Sequence, residues 1–313
     1  MKTVNHRTYV AAALLATLCW GAGTTLTKLA LSDFEPALLL VIQLLSSVAF
    51  LLCMAPILRV RLPTLRSLSK TWWLGTLEPG MAYFLALEGL RRVTAAEAVL
   101  LSSTESILVV LLAWRWARER PRGVVLLLAL VGAVGVMLVA GSGVDMTGLA
   151  PSLLGDALLI GGVMCAAGYV VLSSRMASVT EPLSALIAQQ AVAVVFAAAM
   201  CLIFSAHAPL LPAVPAMGWV LAVSSGIVQY ACAFWLYLWA LKGLSASVAG
   251  LYLSLIPVFG LVVAIPVLGD TLTAVQWMGA ALIIGSVLVL TRVREEPHGE
   301  VAPVTHDAPV SML

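Results

Sequence analysis

Charge is what this 313-residue chain has least of: Asp, Glu, Lys and Arg make up 10% of it against 62% hydrophobic residues, and mean hydropathy is +1.06. Soluble domains average roughly 25% charged residues. The chain therefore reads as an integral membrane protein, and no stretch between its apolar runs is long enough to fold as a separate aqueous domain. Histidine is also scarce. His6, His207, His298 and His306 all lie outside the hydrophobic runs, which argues against a histidine proton relay, a haem site and most zinc chemistry. The five cysteines, Cys19, Cys53, Cys165, Cys201 and Cys232, sit inside apolar runs at no metal-like spacing. They read as small core hydrophobes, so neither a metal nor a cofactor is expected. The phosphate-binding pattern G-x-x-x-x-G-K-[ST] is missing, which argues against direct use of ATP. The net charge of +2 says nothing about partners; no nucleic-acid partner is expected of such a membrane protein.

What is present is ten hydrophobic segments, at about 9–29, 36–57, 72–90, 94–114, 122–141, 155–174, 182–205, 217–241, 245–267 and 273–291. Each is near the ~20 residues that cross a bilayer as a helix. Basic residues accumulate in cytoplasmic loops. With the N-terminus inside, all of the 17 lysines and arginines except Lys28, Arg91 and Arg92 fall on the cytoplasmic side, while Asp33, Glu35, Asp145 and Asp270 mark outer turns. Both termini are then cytoplasmic, in a plasma or inner membrane. The tail from 293 to 313 is polar and proline-bearing and is expected to be disordered.

The two halves repeat. Trp20-Gly21 precedes Lys28 as Ala167-Gly168 precedes Arg175; Pro36 precedes Gln43 as Pro182 precedes Gln189; TAAEAVLLSSTES from Thr94 matches SASVAGLYLSLIP from Ser245; Gly135 is set against Gly285. Five spans per copy is odd, so the second copy enters the membrane upside down. The expected fold is all-α and membrane-integral, ten transmembrane helices in two inverted five-helix repeats. Its units are a cytoplasmic N-terminus (1–8), a first repeat (9–141), an external linker (142–154), a second repeat (155–292) and the tail. The first span has a full counterpart at 155–174, so it belongs to the fold and is not a cleaved signal. Inverted repeats are the usual plan of secondary transporters.

WGAGTTLTK in the first span, the proline opening the second, VTAAEAVLLSSTES with AWRWARER, and SASVAGLYLSLIPVFGLVVAIPVLGD in the ninth resemble the ten-helix, EamA-type branch of the drug/metabolite transporter superfamily over residues 9 to about 292. The resemblance implies a central cavity lined by helices 1 to 4 and 6 to 9, with helices 5 and 10 peripheral and often in a dimer contact. Monomer and homodimer both fit. Two departures stand out: Ser106 replaces the usual proline of the fourth helix while Pro257 is kept, predicting a weaker irregularity there, and Gln43 stands where relatives often carry a basic residue. The implied function is a secondary transporter of a small metabolite, not an enzyme. Export of an amino acid or other amine-bearing solute is preferred, with protons as the driver, and a multidrug or organic-cation exporter is the rival. An intramembrane enzyme using Glu78 and Glu105, and a structural scaffold, are the alternatives from other classes.

The candidate site begins with those two acids, because a carboxylate in hydrocarbon is costly unless paired, solvated or protonated. Glu78 lies ~9 Å from the inner start of its span and Glu105 ~13 Å from the inner end of the next, so both reach a similar depth. They form a shared proton site, separate ligands for an ammonium group, or structural acids bonded to Gln43, Ser102 or Ser103. Gln43 and Gln189 either bridge helices or contact the solute. Tyr230, Phe234 and Tyr237 share one helical face; with Trp20, Tyr83 and Tyr252 they form either packing or an aromatic wall for aromatic or cationic solutes. Lys28 and Arg175 are candidate gate charges or snorkelling side chains. Glu88 has helix-surface ion-pair spacing to Arg91 and Arg92, and Asp156 reads as a helix cap. Gly21, Gly23, Gly161, Gly162 and Gly168 serve either close helix approach or hinges. Trp72, Trp73, Trp114 and Trp116 read as an interfacial belt.

Overall fold

The computed structural model describes residues 5–60, 71–90, 92, 101–119, 121–141, 152–177, 181–204, 214–268 and 273–292. Arg91, Glu97, Asp145, His207, Asp270 and the tail lie outside these. The described residues are helical and contain no strand. In chain order the elements are α1 (His6–Ala30), α2 (Pro36–Ile57), a π-helical segment (Thr76–Met81), α3 (Ala82–Leu90), α4 (Glu105–Trp116), α5 (Gly123–Gly141), α6 (Leu153–Met176) and α7 (Pro182–Phe204). They continue with α8 (Ala216–Ser225), a second π-helical segment (Gly226–Cys232), α9 (Ala233–Ala240), α10 (Ala246–Leu253), α11 (Ile256–Leu268) and α12 (Ala274–Arg292). Eight described stretches are long and apolar enough to cross a bilayer: 6–30, 36–57, 123–140, 153–176, 182–203, 216–240, 246–263 and 274–292. The third and fourth expected spans are represented by 76–90 and by α4.

Local chemistry explains where the helices start. Asn5, Ser152 and Ser245 cap α1, α6 and α10 by accepting from the backbone N–H of Arg7, Gly155 and Val248. The cap of α6 is thus Ser152; Asp156 sits in the first turn, where an anion suits the helix dipole. Pro36 and Pro182 open α2 and α7, the position at which a missing N–H costs nothing. The start of α10 is held from the other repeat. Glu119 accepts from Ala246 N (2.9 Å), Ser247 N (3.1 Å) and Ser247 Oγ (2.6 Å), satisfying N–H groups that a helix leaves free at its first turn.

The packing pattern maps onto itself when the halves are exchanged. Helix α1 packs on α8, α9, α11 and the second π segment, as α6 packs on α3, α4 and the first π segment. Helix α2 meets α7, α4 meets α10, and α5 meets α12. The second π segment crosses α2, and the first crosses α7. Those last crossings are the tightest. A Cβ on Gly75 would fall on the Gln189 carbonyl, and one on Gly226 would lie within 2.5 Å of the Gln43 carbonyl.

The glycines expected at close approaches divide. Gly21 touches the backbone of α11 at Ile256–Gly260, Gly23 the Gln229 side chain, and Gly162 the Ala82 carbonyl, so at these three the small residue allows helix contact. Gly161 and Gly168 have ordinary van der Waals room. At the α5–α12 crossing Gly135 meets Gly279, and a Cβ on Gly285 would touch nothing within 4 Å. Gly135 and Gly285, matched in sequence between the repeats, thus differ in packing: Gly135 lies against Gly279 and Gly285 faces open space. The fourth-span irregularity is also present despite Ser106: turns at 103–104 and at 254–255 interrupt the fourth and ninth spans alike. The start of α1 and the end of α12 lie at one end of the bundle, since His6, Arg7, Leu290 and Thr291 share a cavity. That end carries Arg7, Arg115, Arg175, Lys242 and Arg292 among the described residues, and the exposed Trp72, Trp73, Trp114 and Trp116 lie towards it.

Gly75→Ala and Gly226→Ala should each lower the midpoint of thermal unfolding or abolish folded yield, because backbone cannot yield as a flexible side chain does. Gly285→Ala should leave the midpoint unchanged or slightly higher, since alanine favours a helix by up to ~1 kcal/mol. Size-exclusion recovery with melting in detergent reads all three.

Candidate functional site

Both intramembrane acids sit at breaks in helices. At Glu78 the backbone is extended (φ −146°, ψ 128°) inside the Thr76–Met81 segment, immediately before Pro79. A proline disfavours helical geometry in the residue before it, so Glu78 carries an interrupted backbone as well as a carboxylate. Glu105 opens α4 directly after the 103–104 turn. The irregularity expected to be weaker here is a full break: the acid lies in the first turn of a half-helix, where the dipole favours negative charge. Half-helices that end at mid-membrane are the usual ligand-holding device of inverted-repeat transporters.

The acids share one neighbourhood. Glu78 lies within electrostatic range of Glu105. Tyr83, Tyr169, Tyr230 and Tyr237 lie within electrostatic range of Glu78, and Tyr83 and Tyr237 within that of Glu105. Both acids are half-buried. No ion pair to either is present among the described residues; the described ion pair is Arg92 to Glu88, at 2.6 Å. That pairing follows the helix-surface spacing of those residues.

Five of the six expected aromatic residues form one connected wall. Trp20 meets Phe234 and Tyr237 edge-on with centroids 5.0 and 5.2 Å apart. Tyr230 stacks on Phe234 at 6.2 Å, and Tyr83 meets Tyr230 at 5.3 Å. Tyr169, which periodicity did not single out, joins through Phe234 at 5.8 Å. Tyr252 lines the cavity beside His6 and Arg7. The Tyr237 hydroxyl is buried and has no partner among the described residues, and the same holds for Ser173 Oγ. An unpaired buried polar group costs about 1–3 kcal/mol, and Ser173 lies beside the Tyr169 hydroxyl. Ser173 and Gln189 line a narrow crevice with Thr71, Leu74 and Leu238.

Gln43 and Gln189 tie helices together. Gln43 Nε2 donates to Thr27 Oγ1 and to Ser225 Oγ, both at 2.8 Å, and Thr27 donates on to Gln229 Oε1 at 2.7 Å. Gln189 Oε1 accepts from the Tyr169 hydroxyl at 3.0 Å. Beside them Ser47 donates to Gln190, whose Nε2 donates to the Tyr230 carbonyl at 2.6 Å. The amide of Gln43 is thus engaged away from the acids. Lys28 and Arg175 are exposed at the ends of α1 and α6.

Gln229 is the residue that spacing overlooked. Gly75 and Gly226 occupy equivalent crossings, and Glu78 and Gln229 each follow three residues later. The place of Glu78 in the second repeat is therefore filled by its neutral isostere, within reach of the Tyr83 hydroxyl. The sequence signals were Pro79-Gly80 within a span and a glutamine at the matching offset.

A bundle of membrane-crossing helices built as two interlocked copies, with acids at mid-span helix breaks, defines a multi-pass membrane transporter. The profile of the EamA-like transporter family matches residues 7–141 and again 153–292, and the chain belongs to that family. Members carry solutes and are not enzymes. The permease-like protein YdzE of Bacillus subtilis (strain 168) is 35% identical over 71 residues, 23% of this chain and 91% of that protein. A solved structure described only as the crystal structure of a protein superposes with a TM-score of 0.76 at 22% identity, over 90% of this chain and 98% of that one. This likeness bears on the fold.

Gln43→Ala should lower stability by about 1–3 kcal/mol, because Thr27 and Ser225 lose a shared donor in a buried site. Gln189→Ala, which releases the single bond from Tyr169, should cost less. Equal melting midpoints for both variants and the parent would contradict the bridging role.

Proposed function

We propose that the chain exports a small amine-bearing metabolite, an amino acid or a close relative, by alternating access, with protons exchanged at the Glu78–Glu105 pair. The carrying observation is that two acids without a basic partner among the described residues sit at helix breaks against a wall of phenols and indole. Carboxylates with aromatic faces attract an ammonium group by charge and by cation–π interaction, and the unpaired Tyr237 hydroxyl offers a further donor. Two carboxylates so placed also compete for one proton, which supports proton coupling. The exchange symmetry of the packing supports alternating access, since each half can take up the geometry of the other.

Basic residues at the end that holds the start of α1 and the end of α12 support a cytoplasmic location for that end, in a plasma or inner membrane. Lys28 at the far end and Arg175 at the near end would then flank the two mouths. The membrane lipids and a small solute are the partners this reading requires, with a monomer or a homodimer through α5 and α12 as the unit.

In proteoliposomes with an imposed proton gradient, Glu105→Gln should abolish gradient-driven flux while eluting and melting like the parent, and Glu78→Gln should reduce flux as much or less. Unaltered pH-driven flux in both variants overturns the coupling. Tyr237→Phe should shift the ranking of amino acids, polyamines and lipophilic cations in a thermal-shift screen, because a ligand of the folded state raises its midpoint. A ranking unchanged from the parent would return Tyr237 to a packing role.

A further inference from the structure

We propose a second binding site, separate from the carboxylates, for the phosphate-bearing headgroup of an anionic phospholipid. A cavity of about 320 Å³ opens at the end of the bundle where α1 starts and α12 ends, lined by His6, Arg7, Val10, Val248, Tyr252, Leu290 and Thr291. Its volume falls at the lower end of the range of small-ligand pockets. Its walls come from three elements far apart in sequence: the first turns of α1, the start of α10 and the last turn of α12.

The lining is divided as an amphiphile is divided. Arg7 brings a permanent positive charge with a planar set of donors that matches phosphate oxygens; His6 lines the same cavity, as does Thr291, whose hydroxyl donates to the Leu288 carbonyl. Val10, Val248 and Leu290 supply an apolar wall for the glycerol and first acyl carbons. No carboxylate lines the cavity among the described residues. It lies at the ends of the membrane-crossing helices α1 and α12, and basic pockets between helices at headgroup level bind anionic lipid headgroups. A free phosphate ion would use the polar half and leave the apolar wall unfilled.

Titration of the purified full chain with dioctanoyl phosphatidylglycerol, dioctanoyl phosphatidylcholine and inorganic phosphate, read by native mass spectrometry and melting midpoint, tests the site. Saturable binding of phosphatidylglycerol, at least about fivefold weaker in Arg7→Ala and unchanged in Arg115→Ala, is the expected result. Val10→Phe, which fills the cavity and keeps its charge, should weaken binding as well, and provides the test if Arg7→Ala does not fold. A midpoint raised equally by inorganic phosphate alone would identify the ligand as a soluble phosphate. Equal binding of the two lipids, or equal losses in Arg7→Ala and Arg115→Ala, overturns the proposal.

Discussion

Hydrocarbon offers no partner to a free N–H or C=O group, and this requirement shapes the whole chain. It makes the described residues helical, and it makes every interruption of a helix expensive. The interruptions fall where side chains with chemistry also fall: Glu78 in an extended backbone before Pro79, Glu105 at the head of α4, and the 254–255 turn in the ninth span. Backbone exposed at mid-membrane must be covered by protein or line a polar space. Here it is covered by the crossings of α7 on the first π segment and α2 on the second, which is why Gly75 and Gly226 leave no room for a Cβ.

The coverage is reciprocal between the repeats, and so is the support. Glutamines at matched positions tie the two crossings, Gln43 through Thr27 and Ser225, Gln189 through Tyr169. Glu119 from the loop after α4 holds the first turn of α10. Neither half closes its own polar groups without the other, so the family match to two copies describes one cooperative bundle.

Much of this was legible in the residues. The apolar runs, the prolines opening α2 and α7, and the aromatic spacing of Tyr230, Phe234 and Tyr237 each follow from a local rule, and the structure brings those three rings together in the buried core, an arrangement that packing alone also gives. Long-range facts were less accessible. Tyr169 joins the wall through a neighbour 65 positions away in sequence, at Phe234, and a single helix face carries no sign of that. Gly135 and Gly285 match in sequence between the repeats, but helix crossings are set by three-dimensional packing, and Gly135 packs on Gly279. Tyr252 lines the cavity beside His6 and Arg7, a placement its helical face does not announce. The break at Glu105 was hidden because Ser106 replaces the residue that usually announces it, and the turn at 103–104 forms without that signal.

Glu78 and Gln229 occupy equivalent places in the two repeats and have nearly the same outline. They differ in electrical sign content: one is an acid, the other a neutral amide with a donor and an acceptor. On the transport reading proposed above, a solute bound near both would find its cationic end drawn to the first repeat and its acceptor end to the second. Duplication of the backbone thus leaves the two repeats with unlike charge at matched places.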